Sequence, residues 1–160
     1  MKYLLDANVL IQAHRFHYPF DIFPAFWEWL EQKNDEELIF LPDQIIAEIL
    51  HGGDELADWV KQKDTWSIPC HTEAVQQNFS DLSNWTMSHP QFTQPAQNEF
   101  LSVADSWLIA LAMTGEYTIV TEEKSSPNSK KRILIPDVCL EFEVDHCNTI
   151  DLIRTLSGHF

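Results

Sequence analysis

Three aspartates and three glutamates stand where a folded chain has reason to avoid charge. Asp6 ends the apolar run YLL in MKYLLDANVLIQA, and no Lys or Arg follows it until Arg15. Glu122 and Glu123 end a second apolar run, YTIVT, and Asp137 follows a third, ILIP. In NEFLSVADSWLIALA the residues Leu101, Ala104, Leu108, Leu111 and Ala112 recur at helical spacing, and Asp105 falls inside that stripe. An unpartnered carboxylate at a core position is costly. No Lys or Arg occurs from Asp64 to Glu123, so no ion pair within that helix relieves it. Glu48, in PDQIIAEILHG, lies at the margin of the stripe formed by Ile45, Ile46, Ile49 and Leu50. Carboxylates brought together repel and raise one another's pKa. A hard divalent cation removes that penalty, and Mg²⁺ or Mn²⁺ prefers oxygen ligands. One or two such ions among acids suit phosphodiester hydrolysis, because they activate water and stabilise the leaving oxygen.

Such a site needs a frame that delivers strand ends to one edge. Residues 3–5 read as a buried strand, followed by a helix from Asn8, whose side chain suits a cap, to about His14. FPAFWEWLEQ is a helix opened by Pro24, and residues 37–42 form a second strand ended by proline. A helix over 43–51 stops at Gly52-Gly53, and Asp54 caps the next one. TWSIP is a third strand, HTEAVQQNFSDLSNWTMSH a helix, and HPQFTQPAQ a loop. The spacing predicts one helix over 98–113, ending at Gly115, then a fourth strand, YTIVT. ILIP (133–136) reads as a fifth strand, with helical pattern from Asp137 and again over 148–157. Alternating strands and helices, with the strands apolar throughout, predict a mostly parallel sheet of four to five strands covered on both faces. Ligands bind such sheets at the carboxyl ends of the strands. Asp6, Glu122, Glu123 and Asp137 all fall there.

Composition sets the limits. With 160 residues, 44% hydrophobic and six Trp, the chain is expected to form one folded domain over 1–160. No opening stretch reads as a signal peptide, and no run of about 18 apolar residues spans a membrane. The cytoplasm is the expected compartment. The three cysteines form no CxxC pair, which fits reduced thiols better than disulfides or zinc.

In order, spacing and element type, MKYLLDANVLI, LPDQIIAEIL, VADSWLIALA and YTIVTEE resemble the PIN domain family. YPFDIFPAFWEWL and KKRILIPDVC resemble one bacterial subfamily of it, long known only as a domain of unknown function. The resemblance covers nearly the whole chain and implies a PIN-like α/β/α sandwich with metal-dependent nuclease activity. Many members are toxin ribonucleases of toxin–antitoxin pairs; others act in RNA processing. Carried over, the family's metal-binding acids fall on Asp6, Glu48 and Asp105. Its fourth acid falls on Glu123, where the family usually has Asp, so Glu122 and Asp137 stay open as contributors. Asn8 and Thr121 match the small polar positions that orient the acids. Members commonly dimerise, so a homodimer is expected, together with a basic antitoxin.

The net charge of −15 disfavours nucleic acid unless the sign reverses locally. It does so between Thr121 and Ile133, where four of the ten Lys/Arg lie: Lys124, Lys130, Lys131 and Arg132. That loop, with Arg15 and the nearby His14 and His17, is the expected phosphate contact. The aromatic crowd from Phe16 to Trp29 is expected to pack in the core or at a dimer interface rather than stack bases. The sequence thus points to a Mg²⁺- or Mn²⁺-dependent endoribonuclease, plausible as a toxin. The alternative is a PIN-fold binding module that acts through a protein partner with little or no catalysis.

Overall fold

The computed structural model describes residues 1–115 and 117–160. Five strands, β1 (Lys2–Leu5), β2 (Ile39–Pro42), β3 (Ser67–Ile68), β4 (Tyr117–Val120) and β5 (His146–Cys147), form a sheet in the order β3-β2-β1-β4-β5. All neighbouring pairs are parallel. The central strands carry Leu4, Leu5, Ile39, Leu41, Ile119 and Val120 with no exposed surface. Strands buried on both faces need helices above and below, as the unbroken apolar runs predict.

Between β1 and β2 lie α1 (Ala7–Gln12), a π-helical continuation over Ala13–His17, and α2 (Pro24–Asp35). After β2 come α3 (Asp43–His51) and α4 (Glu55–Lys61); after β3 come α5 (Glu73–Ser88), α6 (Gln94–Ser102) and α7 (Ala104–Ala112). The chain closes with α8 (Ile135–Glu141) before β5 and α9 (Thr149–Thr155) after it. Successive strands step outward from β1 to β3, then return across the sheet to β4. Crossovers between parallel strands are right-handed as a rule, which assigns the helices of those two journeys to opposite faces and makes three layers. The reversal falls between β1 and β4, so their carboxyl ends form the switch point where such sheets open a crevice.

Local signals set most boundaries. Pro24 opens α2, and Asp54 accepts the Ala57 N–H at 3.0 Å to cap α4. Thr72 and Thr93 cap α5 and α6 in the same way. Gly53, at φ +62°, provides the left-handed turn that ends α3. Most of the aromatic crowd is core: Phe26, Trp27 and Trp29 are buried, Tyr18 stacks on Phe26, and the Trp27 indole donates to the Tyr18 carbonyl at 2.7 Å. Phe16 alone of that group points well into solvent.

Four expectations are corrected. ILIP is not a strand: Ile135 and Pro136 begin α8, with proline in the first turn, where its missing N–H costs nothing. The edge strand is His146–Cys147 instead, paired with β4. The helix over 98–113 is two helices, broken at Val103, whose backbone is extended (φ −107°, ψ 171°). The first of these already starts at Gln94, inside the expected loop, and Asp6 rather than Asn8 occupies the cap position of α1.

Candidate functional site

Asp6 leaves β1 at the switch point, its N–H bonded to the Val120 carbonyl of β4 at 2.9 Å. Although it stands at the cap position of α1, its side chain makes no capping hydrogen bond. Instead Oδ2 accepts the Thr121 hydroxyl at 3.0 Å, and that hydroxyl oxygen accepts the Glu123 N–H at 3.1 Å. Thr121 thus ties the two strand ends together. Asp6 is 1% exposed. Burial drives its pKa up to about 7; the Thr121 hydrogen bond opposes this, while the charges of Glu123 and Glu48 add to it. Asn8 acts on Asp6 through its backbone amide, which lowers the Asp6 pKa from beyond the reach of a capping hydrogen bond, and its side chain is exposed.

Asp105 reaches the same place from above. The break at Val103 puts it in the first turn of α7, where the helix dipole favours a carboxylate. Burial raises its pKa to about 8, followed by the charges of Asp6, Glu123 and Glu48, against a lowering by Arg132. Glu48 approaches from α3 at the solvent side, and partial burial raises its pKa as well. The four acids therefore lie within electrostatic reach of one another at one sheet edge, drawn from four separate segments.

Glu122 and Asp137 do not join them. Side chains of an extended chain alternate in direction, so Glu122 and Glu123 part after Thr121. Glu122 accepts the Thr149 N–H at 3.0 Å and the Thr149 hydroxyl, at the start of α9. Asp137 accepts the Ser125 hydroxyl at 2.5 Å and the Ser126 N–H at 2.9 Å, pinning the basic loop. Glu123 is itself engaged: Oε2 accepts the Ile135 N–H at 2.7 Å, and Oε1 lies 3.6 Å from Arg132 Nη2. Among the described residues, no three His, Cys, Asp or Glu stand close enough together to hold one ion as placed. The donor set still fits a hard divalent ion in kind: all oxygen, with Asp6 buried at its centre, and with burial and neighbouring charge raising the pKa of Asp6 and Asp105 to about 7 and 8. Zinc on the cysteines is ruled out by distance, because Cys70 follows β3 and Cys147 lies in β5, the opposite edges of the sheet.

Lys124, Lys130, Lys131 and Arg132 are all exposed on the loop beside the acids, and Arg15 is exposed on the π-helical turn. Gln91, unremarked in the sequence, holds this loop: its side-chain amide donates to the Pro127 and Ser129 carbonyls, each at 2.7 Å. Glu99 was missed as well; it lines a small cavity with Asp105 and Arg132. In an unbroken helix Glu99 and Asp105 would diverge, six residues being 240° of rotation at about 100° per residue. Nothing in the sequence marks the break at Val103.

Thr121→Val is expected to raise the Asp6 pKa further, because it deletes the hydrogen bond that lowers it. It is also expected to cost about 1 kcal/mol of stability at alkaline pH. Carboxyl NMR titration and thermal unfolding read both effects. An unchanged Asp6 titration would show that Thr121 does not set its charge.

A family model matches residues 3–160, that of "Domain of unknown function (DUF4411)". No curated protein matches the sequence. Among solved structures, a chain in the crystal structure of VapBC2 from Rickettsia felis bound to a DNA fragment from their promoter is similar. Its identity is 15% and its TM-score 0.53, over 92% of this chain and 98% of that one. The likeness is one of fold, in agreement with the PIN-like sandwich expected from the sequence. With its model matched from Tyr3 to Phe160, the chain belongs to the DUF4411 family.

Proposed function

We propose that this chain, acting as one domain over 1–160, is a Mg²⁺- or Mn²⁺-dependent endoribonuclease of the PIN type. The observation that carries the reading is the meeting of Asp6, Glu48, Asp105 and Glu123 at the switch point, where burial first and then the neighbouring charges raise the pKa of Asp6 and Asp105 to about 7 and 8. A structural role would favour apolar residues at buried positions; acids that repel one another there make sense as ligands awaiting a cation. Those four residues would hold one or two divalent ions. Such ions supply a lowered water pKa and offset charge on the leaving oxygen.

The chain's own residues do the rest. Thr121 fixes the Asp6 carboxylate by hydrogen bond, and the start of α7 fixes Asp105. An ionised carboxylate of the cluster accepts the proton of the attacking water. Lys124, Lys130 and Lys131 meet the phosphates, held to the acid edge by Gln91 and Asp137; Arg15 extends that basic rim. No protein nucleophile is required. Of the described helices, none is long and apolar enough to cross a membrane, and the reading places the enzyme in the cytoplasm.

The resemblance to PIN toxins, the acidic surface and the fold shared with a chain of a VapBC2 structure support a toxin role with a basic antitoxin partner and a homodimeric state. A second reading, a binding module without turnover, draws on one observation. Glu123 already has a backbone donor and an arginine, and the acids are not gathered tightly around a point.

Purified protein is expected to cleave single-stranded RNA with Mn²⁺ or Mg²⁺ and to stop on addition of chelator. Metal binding without cleavage of any RNA tested would favour the binding module.

A further inference from the structure

Among the described residues, Arg132 is the one Lys or Arg that forms an ion pair with a member of the acid cluster. Its Nη2 lies 3.6 Å from Glu123 Oε1, and the two ends sit in different settings: the Glu123 side chain is 9% exposed, that of Arg132 63%. Arg132 also lines, with Asp105 and Glu99, a cavity of about 20 Å³, room for about one water. It therefore stands beside three carboxylates, paired with Glu123 and lining one cavity with Asp105 and Glu99.

The base of this side chain is fixed while its head is not. The Arg132 N–H donates to Ser129 Oγ at 3.3 Å, the Ser129 carbonyl accepts Gln91, and the Lys130 carbonyl accepts the Thr93 N–H at 3.0 Å. By contrast, the guanidinium is too far from Glu123 for a direct hydrogen bond, and an ion pair with one end in solvent holds weakly, at most about 1 kcal/mol. A fixed base with a loosely held cationic head is suited to exchanging partners.

We propose that Arg132 is the cluster's resident counter-cation: it offsets Glu123 and Asp105 in the metal-free chain, competes with a divalent ion for them, and turns to the substrate phosphate once the ion binds. The role rests on the metal-dependent reading above, and it makes Arg132 a different kind of residue from the lysines of its loop. Those contact phosphate in either state, whereas Arg132 links metal entry to phosphate binding. Arginine suits the exchange because its planar fork matches carboxylate and phosphate alike.

The test is calorimetric titration of Mn²⁺ into the full chain as wild type, R132Q, R132K and R154Q. Arg154, paired with Asp151 on α9, controls for a general loss of positive charge. R132Q is expected to bind Mn²⁺ about tenfold more tightly than wild type at low salt, with the gap closing near about 0.5 M salt. R132K, which keeps the charge, and R154Q are expected to match wild type. At saturating Mn²⁺, R132Q is expected to bind single-stranded RNA about fivefold more weakly. If wild type binds Mn²⁺ and R132Q binds it no more tightly, the counter-cation role is overturned and the nuclease reading stands. If no variant binds Mn²⁺, both are overturned. Tighter Mn²⁺ binding with unchanged RNA affinity overturns the turn to phosphate.

Discussion

Asp6→Asn is expected to abolish RNA cleavage and, in the metal-free protein at about pH 8, to make the fold more stable. The two effects come from one cause. Asp6 is buried with no cation of its own, so its pKa stands at about 7 instead of 3.8. For a carboxyl group whose folded pKa exceeds its unfolded value, the stabilising contribution is complete below the unfolded pKa and disappears as pH rises through the folded one. Between about pH 4 and pH 8 the metal-free chain therefore loses what protonated Asp6 contributed, and the Asn variant does not. Burial of this side chain is nearly complete, so the shift converts to stability with little discount for solvent, giving about 2–4 kcal/mol. That corresponds to a rise in Tm of about 5–10 °C for a chain of this size. The Asn side-chain oxygen still accepts the Thr121 hydroxyl, so packing is kept. Loss of cleavage by about a thousandfold or more is expected, the scale of a lost ligand in a charge-stabilised transition state. Asp105→Asn is expected to behave alike, with its stability gain still growing up to about pH 8, where the Asp105 pKa lies. Thermal melts with chelator at about pH 5 and pH 8, beside an RNA cleavage assay, read both effects. A variant that is less stable at both pH values and fully active would leave Asp6 as an ordinary structural residue.

How much of this was legible in the sequence follows from the range of each cause. YLL and YTIVT read as strands because burial on both faces demands unbroken apolar runs, and their pairing fixes Asp6 and Thr121 side by side. Asp105 stood out as a charge in an apolar stripe. That stripe survives the break at Val103 because Ala104, Leu108, Leu111 and Ala112 all lie on α7 with Asp105. ILIP failed for the opposite reason: four apolar residues fit a strand or a helix entry equally, and only Pro136 in the first turn of α8 tips the balance. The two-residue strand β5 has no period at all; it exists because the β4 edge offers hydrogen-bonding partners. The choice among Glu122, Glu123 and Asp137 was equally hidden. It depends on Thr149 and Ser125 supplying other partners to two of the three, through contacts 27 and 12 residues apart. Arg132 was legible as a charge in a basic loop but not as the neighbour of Glu123, since nothing local tells a phosphate contact from a counter-ion.

The raised pKa values make metal binding a proton exchange, and this gives the second large effect. With Asp6 near 7 and Asp105 near 8, both carboxyls carry protons for much of the time at pH 6 and few at pH 8.5. An ion must displace those protons to bind. Apparent Mn²⁺ affinity is therefore expected to fall by about two to three orders of magnitude as pH drops from 8 to 6. Near pH 7 about one to two protons should leave per ion bound, measurable as a heat that varies with the ionisation enthalpy of the buffer. The direction separates this site from surface acids of ordinary pKa, which are fully ionised across that window and would bind Mn²⁺ with little pH dependence. It also flattens the stability curve. Metal-free protein gains stability as pH falls from 8 towards 5, because the buried carboxyls become neutral. Metal-loaded protein changes little over the same interval while the ion stays bound, because its carboxyls are then ionised both folded and unfolded, and it joins the metal-free curve once protons expel the ion. Thermal melts with Mn²⁺ and with chelator should converge as pH falls. Parallel curves would mean that Mn²⁺ stabilises the fold from somewhere other than the edge where Asp6 and Asp105 meet.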